Sequence, residues 1–397
     1  MKNSLWACSS TIALACALNL AACSDSGVPS PATVPPIDTP PTTPKLVCAP
    51  ISLPLVHGAL TPLDVPPPAY DWQGNWQSCE VLFPSRLHGS MLHATLFAPG
   101  DLSTVRGRLP VVVIAPGSET GVQANYHWSA RELASAGYLT LTVNPQGISY
   151  SELVAYQQTI ENYMDAVTSS LDFMESAQNP LRGLTDTARM GAAGHSLSAF
   201  ALSLMQADEL RLQAIVAWDG LVKAAAGDDS SAIGPSPVSD VIGSFTVGEV
   251  PLLSAERPVL PRIPALSEVS DDGQTQNPDP ELKKTAYTVW REAGVSAMVI
   301  SFLGKSHLDW GQAATAAAAS DSPKSIELRR FQYFTRAWFD FWLKGDRSAV
   351  DRLTASTLLG EELETIYTPV YRSAIFLPGM GIDCPDIYPR SCAAFQD

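Results

Sequence analysis

The sequence predicts an α/β protein whose sheet has eight mostly parallel strands with helices on both faces. From residue 80 onward, short apolar runs alternate with segments of helical periodicity, a pattern typical of a parallel sheet covered by helices. The run at 110–115 is rich in valine and isoleucine, as expected for a strand buried on both faces. With 397 residues, of which 46% are hydrophobic, the chain is long enough to form one large core.

The same alternation predicts where each element lies. We expect strands at 81–84, 92–98, 110–115, 138–143, 189–193, 213–218, 263–267 and 297–303. We expect helices at 126–136, 157–177, 197–208, 281–293 and 325–344. In a sheet of this kind, functional groups collect at the carboxyl ends of the parallel strands.

One of these strand ends carries a candidate nucleophile. The pentapeptide Gly-His-Ser-Leu-Ser at 194–198 follows a short apolar run and precedes an alanine-rich helical segment. A sharp strand–turn–helix junction holds its central serine in a strained conformation, with the hydroxyl clear of the sheet. We therefore predict that Ser196 is a nucleophile. The pattern departs from G-x-S-x-G only at Ser198, where another small residue replaces glycine.

A serine nucleophile needs a general base, and the sequence offers His307. It is the only one of the six histidines that follows Ser196 in the chain. It comes shortly after the predicted strand 297–303, at a strand end, where a base can reach the serine.

The acid that would orient His307 stays open among four carboxylates. The predicted strand 263–267 directly precedes the strand that leads to His307, and it runs into an acidic turn. From that turn we rank the candidates in the order Asp271, Asp272 and Glu268. Asp219, which ends the preceding apolar run, is the rival candidate.

Acyl transfer also needs hydrogen-bond donors for the oxyanion. The backbone N–H of Leu197, directly after the nucleophile, is one expected donor. The second is the N–H of Ser118, which follows the Pro116-Gly117 turn at the end of an earlier strand.

These features resemble the α/β-hydrolases of the dienelactone-hydrolase and cutinase-like polyester-hydrolase type. The resemblance covers roughly residues 85 to 346 and rests on the stretches 111–117, 185–196, 265–266, 306–307 and 338–346. It implies the α/β-hydrolase fold, and the residue that supplies an oxyanion N–H in such relatives corresponds to Ser118. The long excursion at 221–262 departs from these relatives and is expected to form a cap over the pocket.

The order of Ser196, an acid and His307 predicts a serine hydrolase that cleaves carboxylic esters through an acyl-enzyme. Two alternatives stay open: a peptidase of the same fold, and a catalytically inactive lipoprotein that binds a ligand. We expect neither a metal nor an organic cofactor. The net charge of −15 argues against a nucleic-acid partner. The expected partners are a small or polymeric ester and a lipid membrane, and we expect a monomer.

The N-terminus predicts export. Residues 1–23 combine a positive start, an apolar stretch and Leu-Ala-Ala-Cys, which resembles the bacterial lipobox that places a lipid on Cys23. A plain cleaved signal peptide is the alternative. Residues 24–46 are rich in proline and predict an extended tether before the domain at 47–397. The predicted location is the cell envelope, at the outer membrane in a Gram-negative host.

Four cysteines would remain in the exported domain, an even number that predicts disulfides. They are Cys48, Cys79, Cys384 and Cys392. Of the three possible pairings we favour Cys48 with Cys79 and Cys384 with Cys392, because each closes a local loop. The second bridge would hold the tail at 347–397 on the outside of the domain.

Overall fold

Strands and helices alternate along the chain, as its apolar periodicity requires. The computed structural model describes residues 75–117, 122–147, 160–221, 259–270, 280–311, 323–354, 357–358, 361–362 and 373–385. Its strands are β1 (Trp76–Pro84), β2 (Met91–Pro99), β3 (Leu109–Ala115), β4 (Leu139–Val143), β5 (Thr185–His195), β6 (Leu212–Trp218), β7 (Ala265–Ser270), β8 (Ala297–Phe302), β9 (Thr357–Leu358), β10 (Glu361–Glu362), β11 (Ala374–Leu377) and β12 (Ile382–Cys384). Its α-helices are α1 (His127–Ser135), α2 (Ile160–Glu175), α3 (Leu197–Met205), α4 (Pro280–Glu292), α5 (Pro323–Leu343) and α6 (Ala349–Leu353).

Ten of the described strands form one mixed sheet. Their order is β1-β2-β4-β3-β5-β6-β7-β8-β11-β12. The six strands from β4 to β8 in this order run parallel, whereas antiparallel pairs flank them at both edges. The α/β class is as predicted, but the sheet is wider than the eight strands we expected. The additional strands, β11 and β12, have four and three residues, too few to show an alternating pattern in the sequence.

The predicted boundaries lie within three residues of the observed ones for all five predicted helices. The predicted helix 325–344, for example, is observed as Pro323–Leu343. The largest differences are at the starts of two strands: β1 begins at Trp76 rather than at residue 81, and β5 begins at Thr185 rather than at residue 189. The first half of β5 has the sequence Thr-Asp-Thr-Ala-Arg, whose polar side chains conceal it. The register against β6 also shifts between Met190 and Gly191.

An apolar core covers each face of the sheet. Side chains of α2, α3 and α4 pack on one face, and those of α1 and α5 pack on the other. The central strand β3 is buried along its whole length. Burial on both faces fixes the register of the parallel strands. As a result Trp218 of β6 lies opposite both His195 of β5 and Glu268 of β7, and these strand ends are level.

Two of the predicted disulfide cysteines lie within the described residues. Cys79 on β1 and Cys384 on β12 are both disulfide-bonded. These strands occupy opposite ends of the ten-stranded order, which puts them about 40 Å apart at the usual spacing of neighbouring strands. A disulfide joins Cα atoms less than about 7 Å apart, so the two cysteines cannot pair with each other. This excludes one of the three pairings, and Cys48 and Cys392 lie outside the described residues.

Several other predictions concern segments outside the described ranges. These include the signal and lipobox with Cys23, the tether, and residues 222–258 of the expected cap. All described residues belong to one compact unit, Thr43–Asp397. Within the described ranges, no helix combines the length and the apolar character needed to span a bilayer.

Candidate active site

Ser196 lies at a strained bend between β5 and α3. Its φ of 52° and ψ of −116° are unusual for a residue with a side chain. The bend is held by the Ser196 N–H, which donates to the carbonyl of Trp218 at 3.0 Å. Helix α3 then starts at once, because the N–H of Phe200 donates to the Ser196 carbonyl at 3.0 Å. The serine side chain is left at the edge of the sheet and partly exposed.

The bend is tight because its neighbours are small. A Cβ added at Gly194 would lie 2.8 Å from the carbonyl carbon of Ser198, too close for any side chain. Ser198 itself, the departure from the G-x-S-x-G pattern, has a specific contact. Its hydroxyl donates to the carbonyl of Pro116 at 2.5 Å, so it fastens the start of α3 to the loop that follows β3.

The structure brings the predicted nucleophile and base together. His307 Nε2 lies 2.9 Å from the Ser196 hydroxyl oxygen, within hydrogen-bonding distance. The imidazole is buried, with 5% of the residue exposed, whereas the serine faces a more open space. The other ring nitrogen, Nδ1, lies 2.8 Å from a carboxylate oxygen of Asp219. When Nδ1 donates its proton to this carboxylate, Nε2 is free of a proton and accepts from the serine.

The carboxylate beside His307 is therefore Asp219, and our preference for the acidic turn after β7 was wrong. Asp219 follows β6, the strand next to β5, and its φ of 52° bends the chain toward His307. Ser270, the last residue of β7, holds the Asp219 side chain in place. The Ser270 N–H donates to Asp219 at 3.0 Å and its hydroxyl donates at 2.8 Å. The strand after β6 thus supplies hydrogen-bond donors for the acid instead of the acid itself.

The remaining acid candidates have other positions. Asp271 and Asp272 lie outside the described residues. Glu268 is fully buried, and its hydrogen bonds are with residues other than His307. Its carboxyl group accepts hydrogen bonds from the Thr335 hydroxyl at 2.8 Å and from Trp310 Nε1 at 3.3 Å. Burial raises the pKa of Glu268 to about 8, against the opposing effect of these hydrogen bonds.

One expected oxyanion donor lies within the described residues. Leu197 is the first residue of α3 and directly follows Ser196, so its N–H precedes the N–H groups that donate within the helix. The second expected donor, Ser118, lies outside the described residues. The residue before it, Gly117, lies close to the bend at Ser196. An added Cβ at Gly117 would lie 2.6 Å from His195 Nδ1.

Sequence reasoning missed several residues that build this edge. Tyr126 accepts a hydrogen bond from the Gly117 N–H at 3.2 Å and lies 2.7 Å from His195. Gly220 is required for close approach, because a Cβ there would lie 2.7 Å from the Ser196 carbonyl oxygen. The pair Asp219-Gly220 directly after a strand was a usable signal, since Asp-Gly favours a sharp turn.

The described residues contain no group of three or more His, Cys, Asp or Glu side chains arranged to hold a metal ion. No protein-family model matches the chain. The comparison with curated proteins finds no relative.

Proposed function

We propose that the protein is a serine esterase of the α/β-hydrolase fold. The observation that supports the proposal best is the continuous hydrogen-bonded series of Ser196, His307 and Asp219, with contacts of 2.9 and 2.8 Å. Its members come from the ends of three strands and meet at a partly exposed serine. A purely structural histidine does not require a serine held in a strained backbone beside it.

In the proposed reaction, the Ser196 oxygen attacks the carbonyl carbon of an ester and gives its proton to His307 Nε2. The Asp219 carboxylate stabilises the imidazolium that forms. The negative charge on the former carbonyl oxygen is stabilised by the N–H of Leu197 and by the N–H of Ser118. The bond to the alcohol then breaks, and His307 returns the proton to that alcohol. Water attacks the acyl-enzyme by the same route and releases the acid.

The proposal includes the α/β-hydrolase fold itself. Support comes from the order of the six parallel strands and from the position of the serine between a strand and a helix. The order of the three groups along the chain, serine, acid and then histidine, is the order of that fold. Here the acid follows the strand directly after the nucleophile's strand in sequence.

The proposal also includes export and attachment to a membrane by a lipid on Cys23. The N-terminal sequence supports it, since a short apolar stretch ends in Leu-Ala-Ala-Cys and is followed by a proline-rich segment. Metabolic labelling with a fatty acid tests it, and Cys23→Ala should abolish the label.

A fluorophosphonate probe tests the esterase proposal directly, because it reacts with an activated serine and not with ordinary hydroxyls. We expect one label per chain, located at Ser196 by peptide mass analysis. Ser196→Ala should remove the label, whereas the exposed serine variant Ser103→Ala should keep it. Absence of label from the folded wild-type protein would contradict the proposal. A series of p-nitrophenyl esters would then define the preferred acyl length.

A further inference from the structure

His195, the residue before the nucleophile, has both ring nitrogens engaged at the active site. Its side chain is buried, with 1% of the residue exposed. Nδ1 lies 2.7 Å from the Tyr126 hydroxyl, and Nε2 lies 2.7 Å from the backbone carbonyl oxygen of His307. The proposed mechanism assigns this histidine no proton transfer, since the Ser196 hydroxyl is within reach of the His307 ring.

The direction of these hydrogen bonds follows from the chemistry of their partners. A carbonyl oxygen only accepts, so His195 Nε2 carries a proton and donates to His307. In the neutral ring Nδ1 then accepts, and the Tyr126 hydroxyl donates to it. The Tyr126 oxygen in turn accepts the N–H of Gly117 at 3.2 Å. One series of hydrogen bonds therefore runs from Gly117 through Tyr126 and His195 to the residue that carries the base.

The two ends of this series lie in the loop after β3 and in the loop after β8. The relative position of these two loops matters for the proposed reaction. Gly117 immediately precedes Ser118, the expected second oxyanion donor. The His307 carbonyl belongs to the same residue as the base, whose ring is fixed at Nδ1 by Asp219. Ring packing strengthens the connection, because the centroids of His195 and His307 are 4.6 Å apart.

Tyr126 extends the connection to the acid. Its ring stacks on Trp218 with an interplanar angle of 9° and a centroid separation of 6.0 Å. Trp218 directly precedes Asp219, and its carbonyl accepts the N–H of Ser196. The Tyr126–His195 pair thus contacts the segments that carry the nucleophile, base, acid and oxyanion donor.

We propose that His195 is a positioning residue that, with Tyr126, holds the His307 base in register with the oxyanion loop. This inference rests on the proposed esterase function. Its effect is on turnover and not on substrate binding, because His195 contacts other protein groups and is shielded from the solvent. A displacement of the base by about 1 Å can reduce turnover by about 10²-fold.

Two substitutions separate the functions of the two ring nitrogens. In His195→Gln the side-chain amide reaches the former Nε2 position and can still donate to the His307 carbonyl. In His195→Asn the shorter amide stays near the former Nδ1 position, so the contact with Tyr126 can persist while the contact with His307 is lost. Tyr126→Phe removes the hydroxyl between Gly117 and His195. His93→Asn, at an exposed histidine of β2, is the matched control.

We expect His195→Asn to lower kcat by about 10- to 100-fold with KM within about twofold of the wild-type value. His195→Gln should recover most of that loss, and Tyr126→Phe should lower kcat by about fivefold, as for one lost hydrogen bond. The His93→Asn control should match the wild type. All rates are expressed per active site, titrated with the fluorophosphonate probe, so that loss of folded protein does not count as loss of turnover.

A nuclear magnetic resonance measurement makes the inference testable without substrate. The Nδ1 proton of His307, hydrogen-bonded to Asp219, should give a signal at low field in the wild-type protein. We expect this signal to broaden or shift in His195→Asn and to return in His195→Gln. If the wild-type enzyme shows no Ser196-dependent hydrolysis, the esterase proposal fails, while the signal still reports whether His195 fixes the His307 ring.

The inference is overturned if His195→Asn keeps kcat within about twofold of wild type and leaves the low-field signal unchanged. It is also overturned if His195→Asn and His195→Gln lose kcat equally, because then the donor at the Nε2 position does not matter. If His195→Asn does not fold, Tyr126→Phe decides: a kcat equal to that of the wild type overturns the inference, and the expected decrease supports it.

Discussion

The edge that carries Ser196, His307 and Asp219 and the cluster around Asp340 on α5 are both buried and polar, but their hydrogen bonds are arranged differently. Asp340 is surrounded by cations: Lys344 Nζ at 2.9 Å, Arg352 at 2.7 Å and Arg336 at 3.5 Å. The Tyr138 hydroxyl also donates to it at 2.8 Å. The lysine and the two arginines pair with the Asp340 carboxylate, which lies on an ordinary helical backbone.

Asp219 is supported in another way. Ser270 donates two hydrogen bonds to it, and its third described donor is the ring of His307. In the proposed reaction, that ring carries a positive charge while it holds the proton of Ser196. Within the described ranges, Ser196 and Asp219 are also the two residues other than glycine that have positive φ. Backbone strain beside a carboxylate that contacts a histidine ring points to chemistry, whereas the ion pairs of Asp340 point to a structural role.

Removal of the Ser196 hydroxyl should have the largest effect on turnover. We expect Ser196→Ala to lower turnover by about 10⁶-fold, the loss seen when the nucleophile of a complete triad is removed. Stability should stay close to wild type, because the partly exposed hydroxyl contributes little to the core. Turnover of a soluble ester and a thermal melt test both statements. A folded, pure variant with wild-type turnover would assign the nucleophile elsewhere.

The next largest effect should come from the acid. Asp219→Asn keeps the shape of the side chain but removes the charge that stabilises the His307 imidazolium, so turnover should fall by about 10⁴-fold. Asp271→Asn, at the acid that the sequence favoured, is the matched control and should change turnover by less than about threefold. Both variants are compared on one ester after a check of their folding. The reverse result would return the acid to the segment after β7.

The sequence ranked Asp219 below Asp271 because the position of the acid is not a local property of the chain. The apolar pattern was sufficient for eight of the ten strands of the sheet, and a small-residue turn was sufficient for Ser196, because both signals are local. The acid depends on which strand end bends inward, which is decided by the positive φ of Asp219 and by the donors of Ser270, 51 residues later in the chain. Tyr126 and His195 meet across 69 residues, a distance at which no local pattern operates.

Removal of the Asp340 charge should lower the stability of the protein and leave its turnover unchanged. Burial opposes ionisation, but Lys344, Arg352 and Arg336 outweigh it and hold the pKa of the Asp340 carboxyl below its usual value. Asp340→Asn leaves buried cations uncompensated, so the free energy of unfolding should fall by about 3–5 kcal/mol. Turnover per folded molecule should be unchanged, since the ion pairs of the cluster given above are with one another and not with Ser196, His307 or Asp219.

The matched control is Asp383→Asn, which removes an exposed carboxylate paired with Arg291 at 2.6 Å. An exposed pair contributes at most about 1 kcal/mol, so denaturant unfolding should barely change. Equal losses in Asp340→Asn and Asp383→Asn would mean that burial of the cluster does not matter. A loss of turnover in Asp340→Asn without a loss of stability would show that the Asp340 cluster affects the active site.

Glu268 lies between the two regions, and its effect should be visible as a dependence of stability on pH. Its strand leads to Ser270, and its carboxyl accepts from Thr335 of α5. The folded pKa of about 8 exceeds the ordinary value of 4.5, so between these values the folded state binds the extra proton. Stability is therefore fully present below about pH 4.5 and is lost as the pH rises to about 8, by at most about 1.4 kcal/mol per pH unit.

Glu268→Gln removes this titration and should flatten the fall in unfolding free energy between about pH 5.5 and about pH 7.5. Glu80→Gln, at an exposed glutamate of β1 that binds Thr95, should keep the wild-type slope. His127, whose pKa burial lowers to about 4, changes stability in the opposite direction, but it is common to all three proteins and cancels in their differences. Denaturant unfolding at the two pH values measures the slopes. Parallel slopes for wild type and Glu268→Gln would show that Glu268 is ionised in the folded protein. The hydrogen bond between Glu268 of β7 and Thr335 of α5 would then involve a charged carboxylate.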